Sequence, residues 1–149
     1  MEDTFPSSVD VWLAQALRTS TEHAVMILSP AGTVVAWLGA CERVFGYAEN
    51  EAVGMDFGVP FTPQDRELGL DRQELAQAAN SGRSEDDRWH VRKDGSLFWG
   101  SGILGTLRHP GGSVSGFCKV LRDRTDLRAQ LDVLRNRILA QEAEQGGST

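Results

Sequence analysis

DDRWHVRKDGSLFWGSGIL, residues 86–104, decides how this chain folds. Two segments bearing Trp89 and Trp99 flank Lys93-Asp94-Gly95, the pattern of a β-hairpin. Its register depends on the turn. If Asp94-Gly95 alone turns the chain, His90 lies opposite Trp99. If Lys93-Asp94-Gly95 turns it, with Gly95 in the left-handed bulge position, His90 shares a face with Phe98, Gly100 and Gly102. Trp89, Val91, Trp99 and Ile103 then make the outer face, a broad apolar surface suited to a helix or a second subunit. Glycine inside a strand costs about 0.5–1 kcal/mol relative to alanine and often marks a close approach by ligand or backbone. Gly100 and Gly102 therefore leave room for a ligand beside His90, or let a long strand coil, or receive a large side chain from covering helices.

Outward from the hairpin, the rest of the chain reads as an α+β domain with a five-stranded antiparallel sheet. Upstream, AVMIL and TVVAWL are strands at 24–28 and 33–38 around Ser29-Pro30-Ala31-Gly32. Residues 49–53 form a helical turn ended by Gly54, and a helix of about ten residues follows from Leu70. Strands at 85–92, 97–107 and 114–122 complete the sheet. Val9, Trp12, Leu13, Ala16 and Leu17 recur at helical spacing in a short amphipathic helix within residues 1–20, whose Trp12 and Leu13 need a partner surface. At the other end, Leu127, Leu131, Leu134 and Ile138 form an a/d seam in a helix over residues 125–145. Two heptads are marginal for a coiled coil, and the alternatives are a dimer seam or a helix packed on its own domain. Residues 146–149 read as a flexible tail.

A chain of 149 residues is one domain's worth and buries roughly two-thirds of its unfolded surface. With 21 acidic and 15 basic residues, its net charge of −6 argues against a nucleic-acid partner. MEDTFPSSVD lacks the basic start and apolar run of a signal peptide, and no stretch reaches the ~20 apolar residues of a membrane span. Cys41 and Cys118 are far apart and unpaired in spacing, which suits a reducing, cytoplasmic setting. Three scattered His and these two Cys do not make a metal ligand set. Asp86 and Asp87 are adjacent carboxylates, but neighbours on a strand face opposite ways, and SEDDR reads more simply as a solvated strand end. No nucleophile and base pair up, and no catalytic constellation is expected.

At YAENEAVGMDF and RWHVRKDGSLFWGSGILGTLRHPGGSVSGFCKVLRDRTDLR, the sequence resembles the PAS sensory domains of bacterial signalling proteins over about residues 20–125. Lys93-Asp94-Gly95, Gly116-Phe117 and Asp123-Arg124-Thr125 carry the resemblance most specifically. The last is similar to the Asp-x-Thr junction through which PAS domains pass a signal into a C-terminal helix, so Asp123 and Thr125 are the expected relay residues. The resemblance implies a sensor domain over residues 21–124, short helices over one sheet face, an N-terminal cap helix and a C-terminal coiled-coil output helix. Between sheet and helices such domains enclose a pocket, here lined by His90, Gly100, Gly102, Leu121, Met26, Val34, Phe57 and Phe98.

The chain also resembles flavin-binding PAS domains, including the light-sensing LOV class, in its Lys-x-Gly turn and the pair Phe98-Trp99. His90 stands where those domains place an Asn against the isoalloxazine edge, Gly100 matches their second Asn, Leu121 their Gln, and Phe57 their reactive Cys. Adduct photochemistry is therefore excluded for want of a thiol, while a flavin, FAD or FMN, held without an adduct is carried as an expectation. Haem is not expected, because LDRQELAQAAN offers no axial His. The expected function is a homodimeric sensor that binds a small molecule or cofactor and relays the change through its C-terminal helix to an output domain. The alternative is a ligand-free PAS dimerisation module.

Overall fold

The computed structural model describes residues 4–146, with side chains from Val9 onward; the expectations for residues 1–3 and 147–149 lie outside it. Eleven elements run in the order α1 (Thr4–Thr19), β1 (Ala24–Leu28), β2 (Val34–Gly39), α2 (Cys41–Phe45), α3 (Glu49–Ala52), α4 (Pro63–Glu67), α5 (Leu70–Ser81), β3 (Arg83–Val91), β4 (Leu97–Arg108), β5 (Val114–Asp123) and α6 (Thr125–Gly146). The sheet is antiparallel throughout its pairings, in the order β2-β1-β5-β4-β3.

The hairpin turn settles the register. Gly95 donates its N–H to the Arg92 carbonyl at 2.9 Å, Arg92 N–H reaches Ser96 O at 2.8 Å, and Gly95 has φ +89°. This is the three-residue turn with a left-handed glycine, a conformation that side chains resist. His90 consequently pairs with Phe98 and Trp89 with Trp99. Phe98, Gly100 and His90 are buried on the inner face, while Trp89 and Trp99 meet edge to face on the outer one, 5.3 Å apart.

Helices α2 to α5 cover the inner face. Thr62 caps α4, its Oγ1 accepting from Asp65 N at 3.2 Å, with Pro63 in the first turn. Gly82, at φ +94°, ends α5 by donating to Ala78 O. Helices α2 and α4, five residues each, are absent from the sequence reading, which has only α3 and α5 between the second and third strands. Phe45, Phe57, Phe61, Phe98, Leu104 and Leu121 are fully buried between the layers, each contributing roughly 1.5–3 kcal/mol. Helix α1 meets the sheet along β2, and Trp12, Leu13 and Leu17 stay exposed. Leu127, Leu131, Leu134 and Ile138 of α6 are exposed as well, so this helix projects from the domain.

Candidate functional site

Alternation along two strands puts an unusual set of side chains on the inner face. Asp86, Arg88 and His90 share a face of β3, and Phe117, Lys119 and Leu121 share one of β5. Glu74 faces them from α5. Lys119 Nζ lies 2.8 Å from Glu74 Oε1 and 2.5 Å from Asp86 Oδ2, and over the rings of Phe57 and Phe61. Asp86 Oδ2 also meets His90 Nε2 at 2.9 Å, and its Oδ1 accepts from Arg88 Nε at 2.8 Å. His90 Nδ1 is 2.9 Å from the Arg88 carbonyl oxygen. Lys119, Glu74, Asp86 and His90 are all buried. A charge in such a place is stable only when paired and hydrogen-bonded.

The electrostatics follow from that pairing. Burial alone would raise the Asp86 carboxyl, but the Lys119 charge and the His90 hydrogen bond outweigh it and hold the group below its ordinary value. Burial works against the Lys119 ammonium too, yet Asp86 and Glu74 lift it above the usual lysine range. Glu74 goes the other way. Desolvation dominates and pushes it up, in keeping with Oε2, which is buried without a hydrogen-bond partner.

From His90 the contacts continue to α6. The imidazole stacks on Phe98, centroids 5.1 Å apart and 19° from parallel, and the Arg92 guanidinium lies 4.6 Å from the same ring. Arg92 donates to Val44 O at 2.6 Å and to Asp123 Oδ2 at 2.9 Å. Asp123 Oδ1 accepts from Thr125 N and Oγ1, at 3.0 and 2.5 Å, and Thr125 Oγ1 accepts from Trp99 N at 3.0 Å. Although partial burial would raise Asp123, the hydrogen bonds from Thr125 and Arg92 hold it below its ordinary value. Thr125 is the first residue of α6, so this clamp fixes where the helix leaves the sheet.

The PAS fold family matches residues 14–124. The chain belongs to the PAS family. It is 32% identical over 126 residues to two-component system protein A of Emericella nidulans, covering 85% of this chain but only 17% of that protein. Among solved structures, a PAS domain of Colwellia psychrerythraea superposes with a TM-score of 0.73 at 19% identity, over 79% of this chain and 98% of that one. An RNA-binding light-oxygen-voltage receptor gives 0.71 at 20% identity, over 99% of this chain and 42% of the receptor chain. At these identities the structures support the fold alone.

Within this PAS domain, His90, Phe98, Gly100 and Leu121 come together, but the vacancy expected beside Gly100 does not. A Cβ on Gly100 would lie 2.7 Å from His90 Nδ1 and 3.0 Å from Leu121 Cδ1. The imidazole itself occupies the room the glycine leaves, and it comes from the neighbouring strand rather than a covering helix. Gly102 serves a different purpose: its Cβ would fall 2.0 Å from Val120 O, so glycine admits the β5 backbone. Phe57 packs edge-on against Phe61 in the cover, Met26 pairs across the strands with Lys119, and Val34 lies on β2, the edge opposite His90. An isoalloxazine ring would have to displace His90 from Gly100 and the aromatic rings above it, and Phe57, His90, Gly100 and Leu121 stand where the flavin-holding positions were expected. These residues do not fit a flavin.

The reading of SEDDR as a solvated end is corrected by Asp86, which is fully buried, while Asp87 is exposed and accepts from Trp99 Nε1 at 2.7 Å. Glu74, Arg88, Lys119 and Arg92 carry no assignment in the sequence analysis, and Asp86 is there read as solvated. Parity with His90 was the signal for Asp86, and parity with Phe117 and Leu121 the signal for Lys119.

Proposed function

We propose that this PAS domain is a regulatory relay module. Its input is the buried cluster around His90, and its output is the angle and pairing of α6, read by a neighbouring signalling domain. The observation that carries this reading is the run of contacts from His90 through Phe98, Arg92 and Asp123 to Thr125, which joins the interior to the first residue of α6. A change in the cluster would shift the population between two arrangements of the clamp. The relative from Emericella nidulans, named for a two-component system, supports a signalling setting. The exposed seams of α1 and α6 support a homodimer, through Trp12 and Leu13 and through Leu127, Leu131, Leu134 and Ile138. The dimerisation-only alternative shares those seams but gives the buried cluster no role. No helix among the described residues is long and apolar enough to cross a membrane.

Asp123→Asn in the full chain tests the relay. Losing charge-assisted hydrogen bonds at a partly exposed site is expected to cost about 1–2 kcal/mol locally. Amide exchange at Arg124 and Thr125 should accelerate roughly tenfold, while the β3–β4 amides keep their protection. Unchanged exchange at the start of α6 would overturn the reading. A flavin absorption band in the purified protein would overturn the assignment of the input to protein groups alone.

A further inference from the structure

We infer that the inner face is a proton-binding site: His90 takes up one proton between two acceptors, and the uptake is passed to α6. This rests on the relay proposed above. A neutral imidazole has one N–H and one bare lone pair, whereas the imidazolium has two donors. Both His90 nitrogens face groups that only accept, Nδ1 the Arg88 carbonyl oxygen and Nε2 the Asp86 carboxylate, each at 2.9 Å. Either neutral tautomer sets a lone pair against an acceptor, and only the imidazolium satisfies both contacts. Asp86 is the ionised partner, since Lys119 and Arg88 also bind it.

The charges around the ring leave it able to respond. From β3 it faces Asp86 and Arg88, from β5 Lys119, and from α5 Glu74, which reaches it through Lys119. Beyond Phe98 stand Arg92 and Asp123. Asp86 and Glu74 balance Lys119 and Arg88, so the imidazolium adds one positive charge to a cluster otherwise neutral. Glu74 Oε2, without a hydrogen-bond partner and 4.0 Å from Arg88 Nη2, is the acceptor left over.

Losing the proton must break one of the two contacts. The ring has little freedom to absorb that loss, since Gly100 lies against it, Phe98 is stacked on it and Phe61 meets it edge-on at 5.7 Å. Its displacement moves Phe98, and with it the guanidinium that grips Asp123.

The test is nitrogen NMR of the imidazoles in the full chain over a series of pH values, alongside amide protection factors at Trp99 and Thr125. His90 is expected to carry two ring protons on the acid side and one on the alkaline side. Protection at Thr125 should fall about tenfold in step with that change. His23 and His109, both outside the cluster, serve as internal reference signals. His90→Gln should abolish the pH dependence; should that variant not fold, the wild-type measurement decides alone. A His90 ring that keeps the same proton count throughout, or one that titrates without altering Thr125 protection, overturns the proton site. If Asp123→Asn leaves α6 protection unaltered, it is the relay that fails instead.

Discussion

Gly100 lacks a side chain because His90 needs the place. A methyl group there would press on Nδ1, so the glycine serves packing within the protein. The neighbouring charges yield a pH prediction with a definite sign. Burial holds Glu74 above its ordinary 4.5, so the folded chain binds a proton there before the unfolded chain does. Its contribution to stability therefore grows as the pH falls from the folded value toward 4.5. Glu74→Gln, which keeps an acceptor for Lys119, should remove that rise in urea unfolding measured at a series of pH values. A variant whose profile runs parallel to wild type through this window would contradict the assignment. The sequence leaves two turns, and so two faces, open for His90, and it is the PAS resemblance that implies the inner one. The charged residues around it were harder to read, since Asp86 sits in an acidic run and Lys119 in an ordinary-looking strand, and only strand parity separates a buried charge from a solvated one.

The strands were legible to within a residue or two, since alternation and the turns at Gly32, Gly95 and Gly112 mark them independently. Helices α2 and α4 were not, because five residues are too few to display a helical period, although Thr62-Pro63 is a start signal that could have been used for α4. Helix α6 shows the opposite balance: its seam is plain in the sequence, yet Leu127, Leu131, Leu134 and Ile138 all stand exposed. An apolar stripe left in water is expected to find its copy. Leu131→Asp together with Leu134→Asp should raise the dissociation constant of the proposed homodimer at least about a hundredfold, roughly 2.8 kcal/mol. Sedimentation of an unaltered dimer would remove α6 from the interface.

Seen whole, this PAS domain packs Phe45, Phe57, Phe61 and Phe98 between its sheet and its covering helices. Two exposed helices, α1 and α6, flank a sheet whose inner face holds a paired set of charges and whose outer face presents Trp89, Trp99, Ile103 and Val120. What joins interior to exterior is one chain of contacts crossing β3, β4 and β5, and a chain of that kind should give energetic coupling between its ends. A double-mutant cycle of His90→Gln and Asp123→Asn, read as the protection factor at Thr125, measures that coupling directly. The two substitutions should be non-additive by at least about 0.5 kcal/mol. Strict additivity would mean that the cluster and the output helix are independent, and would contradict the account.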